Sequence, residues 1–145
     1  MWTIWSRYGH ASWESILEPA INLAESSIVG TDLAETIQSK KDAILAFPGL
    51  RSVFAPNGVL LVEGDTLLQP ELANTLREIQ SNPMSFYKGQ LATELVQDIT
   101  NAGGILTEAD FSYYWDYGVV ERHPVSVYYQ GYKVIGAPPP FAGGL

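Results

Sequence analysis

From Trp13 onward, apolar side chains recur at Ile16, Leu17, Ala20, Ile21 and Ala24. This i, i+3, i+4, i+7 rhythm marks one face of an amphipathic helix, and Ser12 is placed to cap its start. The spacing puts Trp13, Leu17, Ala20, Ile21 and Ala24 inward and Glu14, Glu18, Asn22 and Glu25 toward water. Pro19 falls inside the helix and removes the donor that would bond the Ser15 carbonyl. A kink or a broken first turn is therefore expected there.

Gly30 and Thr31 separate this helix from a second, with Leu33, Ala34, Ile37, Ile44 and Leu45 inward and Phe47-Pro48-Gly49 as its stop. Val53-Phe54 and Val59–Val62 flank Pro56-Asn57-Gly58. Asn-Gly adopts positive φ cheaply, so a small hairpin is predicted. Pro70 suits the first turn of a third helix, whose inner face is Leu72, Ala73, Leu76 and Ile79. A fourth helix carries Leu91, Ala92, Leu95, Val96 and Ile99 and ends at Gly103-Gly104. Thr107 and Asp110 resemble a capping box and start a short helix through Tyr113. Beyond it the pattern turns β-branched and aromatic. Val119-Val120, Val125 to Tyr129 and Tyr132 to Ile135 read as strands, with Gln130-Gly131 as a turn and Pro138-Pro139-Pro140 as the close. The fold class is α+β: four or five helices followed by two or three strands.

Composition narrows the function. The length is that of one domain, and 46% apolar with 17% charged residues is ordinary for a globular protein. A net charge of −8 with scattered Lys and Arg argues against nucleic acid as a partner. The absence of cysteine removes disulfides, thiolate nucleophiles and Cys-ligated zinc. No apolar run reaches the roughly 18 residues of a membrane span. Met1 to Arg7 lacks the basic leader and apolar stretch of a signal peptide.

Candidate chemistry is sparse. His10 and His123 have no second ligand at metal spacing and read as a loop residue and a strand-end residue. Glu63-Gly64-Asp65 places two carboxylates together, but acid–base pairs need a shared pocket, and a solvated turn fits better. Gly103-Gly104 and Gly143-Gly144 lack phosphate-loop spacing. Tyr113, Tyr114, Trp115, Tyr117, Tyr128, Tyr129 and Tyr132 invite a stacking platform. Without interleaved basic residues, core and strand packing is the better reading.

Five segments, in order, resemble the γ-glutamyltransferase (glutathione hydrolase) family. Tyr8-Gly9 and Trp13, then Leu17-Glu18-Pro19-Ala20-Ile21-Asn22-Leu23-Ala24-Glu25, resemble its "yG-x-x-x-W … P-A-I-x-L-A" opening. Glu63-Gly64-Asp65 with Gln69 to Leu76 resembles "G-d … q-P-x-L-A-x-T-L". Phe86-Tyr87-Lys88-Gly89 resembles "F-Y-x-G". Gly103 to Phe111 resembles "G-G-x-L-T-x-x-D-L". Pro124, Gly131-Tyr132-Lys133-Val134 and Pro138 to Gly144 complete the match. Two departures stand out. Phe141 and Ala142 replace the family's two serines, and the glycine before "F-Y-x-G" is missing.

The resemblance implies an N-terminal-nucleophile hydrolase with an αββα sandwich, whose precursor cleaves itself into large and small subunits. It implies a new N-terminal threonine that attacks the γ-glutamyl amide of glutathione, with water or an amino-acid or peptide acceptor resolving the acyl-enzyme. On this basis residues 1–145 are expected to be a large-subunit segment, incomplete at both ends. The expected partners are the remainder of the large subunit, the small catalytic subunit, glutathione and γ-glutamyl acceptors. No cofactor or metal is expected. Thr3, Thr31, Thr36, Thr66, Thr75, Thr93, Thr100 and Thr107 begin no Thr-x-His processing motif. Arg7, Arg51, Arg77 and Arg122 lie outside the family's carboxylate-binding arginine motif. No catalytic or substrate-binding residue is therefore carried over. An exported, membrane-anchored, vacuolar or periplasmic placement is implied by the family alone. Two other readings stay open: a non-catalytic interaction module derived from this segment, and an unrelated small α+β binding domain lined by the C-terminal tyrosines.

Overall fold

The computed structural model describes residues 1–141. Ala142, Gly143 and Gly144 of the last matched segment, including one of the two serine replacements, lie outside the described residues. Helices dominate and a β-hairpin follows, so the α+β expectation holds. The helices are α1 (Trp2–Tyr8), α2 (Trp13–Glu25), α3 (Thr31–Ser39), α4 (Lys41–Ala46), α5 (Pro48–Phe54), α6 (Pro70–Ser81), α7 (Ser85–Lys88), α8 (Gln90–Asn101) and α9 (Glu108–Tyr117). Two short strands, β1 (Ser27–Ile28) and β2 (Thr66–Leu67), pair antiparallel. The hairpin is β3 (Val125–Tyr129) with β4 (Tyr132–Gly136), in register Val127 opposite Val134.

Two apolar clusters hold the protein together. In the first, Val29, Ile37, Ile44, Ala55 and Leu67 are buried, with Val53, Phe54, Leu60 and Leu61 packed around them. In the second, Trp13, Leu17 and Ile21 of α2 meet Leu76 and Ile79 of α6, with Trp2 and Trp5 alongside. The Ser12 hydroxyl caps α2 by accepting from the Ser15 N–H at 3.2 Å. At its far end the Ala24 carbonyl accepts from the Gln69 N–H at 2.8 Å, tying α2 to the start of α6.

Several expectations are corrected. α2 runs from Trp13 to Glu25 with Pro19 inside it, so the first turn is not broken there. Ser15 and Pro19 are exposed, so water can serve the carbonyl that Pro19 leaves without a donor. Ala20 is exposed and Ile16 is 40% exposed. The buried seam is the narrow line Trp13, Leu17, Ile21 and Ala24, because the main neighbour on that face is α6. Leu33 and Leu72 also lie toward solvent.

The second predicted helix is two, α3 and α4, joined at Lys40 (φ −104°, ψ 14°). The Thr36 and Ser39 hydroxyls bond back to the Asp32 and Thr36 carbonyls and compete with the helical ladder at this end. The break still leaves both Ile37 and Ile44 buried in the first cluster.

The predicted hairpin at Asn57-Gly58 does not form. Pro48 starts α5, which runs to Phe54, and Val59–Val62 has no ladder. The backbone does reverse there, closed by two bonds, from the Gly58 N–H to the Ala55 carbonyl at 2.8 Å and from the Leu61 N–H to the Phe54 carbonyl at 2.9 Å, and no ladder follows. Val119-Val120 forms no strand, and α9 runs past Tyr113 to Tyr117. The pattern did not reveal α1, α7 or the two-residue strands.

Other expectations hold. α8 stops at Asn101, and the Gly104 N–H closes on the Ile99 carbonyl at 2.7 Å. Gln130 (φ 48°) and Gly131 (φ 84°) form the tight turn of the hairpin, where two successive positive φ values match the strand twist.

The capping box at α9 is reciprocal. Asp110 Oδ2 accepts from the Thr107 N–H at 2.8 Å, and Thr107 Oγ1 accepts from the Asp110 N–H at 3.4 Å. The hydrogen bonds from Thr107 hold the Asp110 carboxyl below its ordinary value of 3.8. A carboxylate lowered on folding stabilises the fold above the unfolded value and loses that effect as pH falls through the folded one. Acid titration followed by circular dichroism should therefore show a helical loss below pH 3.8 that Asp110→Asn lacks. Thr107→Ala should cost about 1 kcal/mol at neutral pH, the ordinary worth of an N-cap, measured by denaturant midpoint.

Candidate functional site

The paired carboxylates that offered chemistry in the sequence are occupied by structural tasks. Glu63 Oε1 accepts from the Thr31 hydroxyl at 3.0 Å, and Asp65 Oδ2 accepts from the Val62 N–H at 2.8 Å. The backbone of the same loop bonds Val29 on both sides, through Gly64 N–H and the Asp65 carbonyl, each at 2.9 Å. Glu63 thus ties the turn to the start of α3, Asp65 closes the turn on itself, and the backbone bonds to Val29 hold it beside β1, in keeping with a turn. His10 and His123 are exposed, in the loops before α2 and before β3.

Three further threonine hydroxyls cap their own helices' carbonyls. Thr36 donates to the Asp32 carbonyl at 2.9 Å, Thr75 to the Glu71 carbonyl at 3.0 Å and Thr93 to the Gly89 carbonyl at 3.5 Å. Arg7 pairs with Glu121 and Arg77 with Glu25. Arg122 donates to the Pro139 carbonyl at 3.1 Å. Lys88 holds Asp116 through both carboxylate oxygens at 2.6 and 2.8 Å, fastening α7 to α9. These exposed pairs orient side chains and add little stability.

The described residues form several concavities, and two bear on chemistry. A groove between α6 and α8 is lined by Glu71, Asn74, Thr75, Glu78, Gln90 and Glu94. Gln90 Nε2 donates to Glu94 at 2.7 Å along its α8 wall. Among the described residues, no three His, Cys, Asp or Glu side chains gather closely enough to hold a metal ion. A cleft of about 340 Å³ runs between α2, α6 and α7, lined by Trp2, Trp13, Leu76, Phe86, Tyr87 and Trp115 among others. Its walls are apolar. The Trp13 indole N–H already donates to the Ile79 carbonyl at 3.1 Å. Such a cleft offers contact area and no group that activates a nucleophile or holds an oxyanion.

The aromatic stretch divides. Tyr87 stacks on Tyr114 at 5.9 Å with planes 9° apart, and meets Trp115 at 5.4 Å, so these side chains do pack. Tyr113, Tyr117, Tyr128, Tyr129 and Tyr132 are mostly exposed, which corrects the core-packing expectation for them. Among the described residues the strands of the hairpin pair with each other and join no other strand, and their side chains past Val125 stand in solvent. Among the described residues no helix is long and apolar enough to cross a membrane.

The family model "Gamma-glutamyltranspeptidase" matches residues 1–145, the whole sequence. The chain belongs to the γ-glutamyltranspeptidase family. It is 41% identical to glutathione hydrolase 3 of Arabidopsis thaliana over 99% of its own length and 22% of that protein. It is 34% identical to the glutathione hydrolase proenzyme of Escherichia coli over 96% of its length and 24% of that protein. The crystal structure of Helicobacter pylori γ-glutamyltranspeptidase superposes with a TM-score of 0.84 at 33% identity, over 98% of this chain and 41% of that one. The chain thus spans about a quarter of the length of the curated relatives it matches.

Seen on the fold, the family-like segments are packing and punctuation. Pro19 to Ala24 lies in α2 and Pro70 to Leu76 in α6, the two helices of the second core. Gly89 of Phe86-Tyr87-Lys88-Gly89 permits a close approach, since a Cβ there would lie 2.7 Å from the Ser85 Cα. Thr107 to Asp110 is the α9 cap, and Tyr132 to Val134 lies in β4.

Proposed function

We propose that this protein is a large-subunit segment of a γ-glutamyltransferase that cleaves the γ-glutamyl amide of glutathione and passes the γ-glutamyl group to water or to amino-acid and peptide acceptors. The observation that carries this reading is the match along the whole sequence, in residues and in backbone, to members of one enzyme family. Residues 1–145 form part of one larger domain, incomplete at both ends, and supply scaffold. No residue of the segment is assigned to catalysis or to substrate binding. The nucleophilic threonine and the arginine that grips the substrate carboxylate belong to parts of the parent outside this segment.

In the parent, the hairpin β3–β4 joins an αββα sandwich. Its unpaired edges and its apolar face of Val127, Tyr129, Tyr132 and Val134 support that placement. Unpaired strand edges invite pairing with further strands. The partners on this reading are the remainder of the large subunit and the small catalytic subunit.

A chromogenic γ-glutamyl anilide tests the reading. The complete parent protein should turn it over, and purified residues 1–145 should not. Turnover by the segment that survives repurification, and that disappears on substituting one of its own threonines, would overturn the scaffold assignment. An inactive complete parent would overturn the enzymatic one and favour an interaction module.

A further inference from the structure

We infer that Asn57 is a site of spontaneous covalent modification, at which the side-chain amide is converted through a cyclic imide with Gly58 into aspartate and isoaspartate. Asparagines occupy positions 22, 57, 74, 82 and 101. Ring closure needs the next residue's nitrogen to carry a proton it can lose and to reach Cγ of the asparagine. Asn22 and Asn74 lie inside α2 and α6, where the helical ladder holds that nitrogen in place. Asn101 ends α8, where the N–H after it completes the helical ladder on the Asp98 carbonyl at 3.0 Å and a side chain, that of Ala102, crowds the nitrogen. Asn82 precedes Pro83, whose nitrogen has no hydrogen.

Asn57 differs from all four. All five are exposed, but only Asn57 lies in the turn between α5 and Val59 and is followed by glycine. Gly58 has φ 77°, and nothing lies within 4 Å of where a Cβ would stand, so no side chain of its own or of a neighbour crowds that side of Gly58. The chemistry balances with one water taken up and one ammonia released. The Gly58 nitrogen loses its proton and attacks Asn57 Cγ. A bond forms between them, the bond from Cγ to the amide nitrogen Nδ2 breaks, and the departing nitrogen takes the proton. Water then opens the imide. Opening at Cγ restores a normal peptide bond and leaves aspartate. Opening at the backbone carbonyl leaves isoaspartate, with one extra methylene in the backbone.

One contact opposes the reaction. The Gly58 N–H donates to the Ala55 carbonyl at 2.8 Å. An exposed hydrogen bond of ordinary net worth withholds roughly a two- to tenfold factor in rate, which slows closure without preventing it. The product does not stay local. Ala55 is 1% exposed within the first core cluster, and Leu61 is tied to Phe54 across the same turn. An added methylene breaks the Ala55–Gly58 bond and shifts Leu60 and Leu61, which cover that cluster.

The test is ageing of the purified protein at mildly alkaline pH, with fragmentation mass spectrometry to place each new acid and isoaspartyl methyltransferase labelling to count isoaspartate. Acid should accumulate at position 57 ahead of positions 22, 74, 82 and 101, and full denaturation should accelerate it there by roughly two- to tenfold. Asn57→Gln should remove the labelling. Conversion spread evenly over all five positions, an amide at Asn57 that outlasts the others, or labelling unchanged in Asn57→Gln would each overturn the assignment.

Discussion

Replacing Trp13 with alanine is expected to destabilise the complete protein by about 3–5 kcal/mol, the range for deleting a buried aromatic side chain. Trp13 is 7% exposed and anchors the second core. Its ring meets Trp2 edge-on at 5.2 Å and Trp5 at 5.5 Å. Its indole N–H reaches the Ile79 carbonyl at 3.1 Å, so this one residue joins α2 to α6 by both packing and polarity. Trp13→Phe separates the two contributions. It retains most of the ring and leaves that part-buried carbonyl without its donor, at a cost of about 1–3 kcal/mol. Denaturant midpoints at constant slope measure both variants. A loss below about 1 kcal/mol for Trp13→Ala would mean that the cluster closes without it.

A second large effect is expected two turns further along the same seam. Ile21 is 2% exposed, and Ile21→Ala should cost about 2–5 kcal/mol. Its neighbour Asn22 is exposed, and Asn22→Ala should stay within about 0.5 kcal/mol. Turnover per folded molecule should not change in either variant, because neither residue belongs to a reacting group on the proposed reading. Midpoint and turnover should be measured on the same preparations. Equal destabilisation by the two substitutions would invalidate the face assignment. Lost turnover at unchanged stability in Ile21→Ala would move α2 into the active site.

The long periodic elements were legible because burial on one side imposes a period on the sequence. Trp13, Leu17, Ile21 and Ala24 on α2, and Leu91, Ala92, Leu95, Val96 and Ile99 on α8, are the clear cases. Caps and turns with their own chemistry were legible too, at Ser12, at Thr107 with Asp110 and at Gln130-Gly131. Other features depend on contacts that no local pattern encodes. β1 and β2 have two residues each, too few to show alternation. Val53-Phe54 reads as a strand because the pair is β-branched and aromatic and Phe47-Pro48-Gly49 reads as a stop, whereas Pro48 starts α5. The exposed tyrosines looked like core because aromatic clusters usually pack. Here the hairpin meets no layer among the described residues. The absence of assigned chemistry in the segment rested on motif matching, and side-chain periodicity says nothing about it.

Trp13 and Ile79 are 66 positions apart, and the whole first core lies between them in sequence. The two clusters are therefore nested, one inside the loop that the other closes. Closing a flexible loop costs entropy that grows with its length. Pairing Ser27 with Leu67 acts as a clasp, because it reduces everything between them to one preformed knot. With the clasp shut, the segments still to be gathered are the short arms of α2 and α6 on either side. The interior cluster should form early and the tryptophan cluster late, since only the first makes the second's closure cheap in conformational entropy.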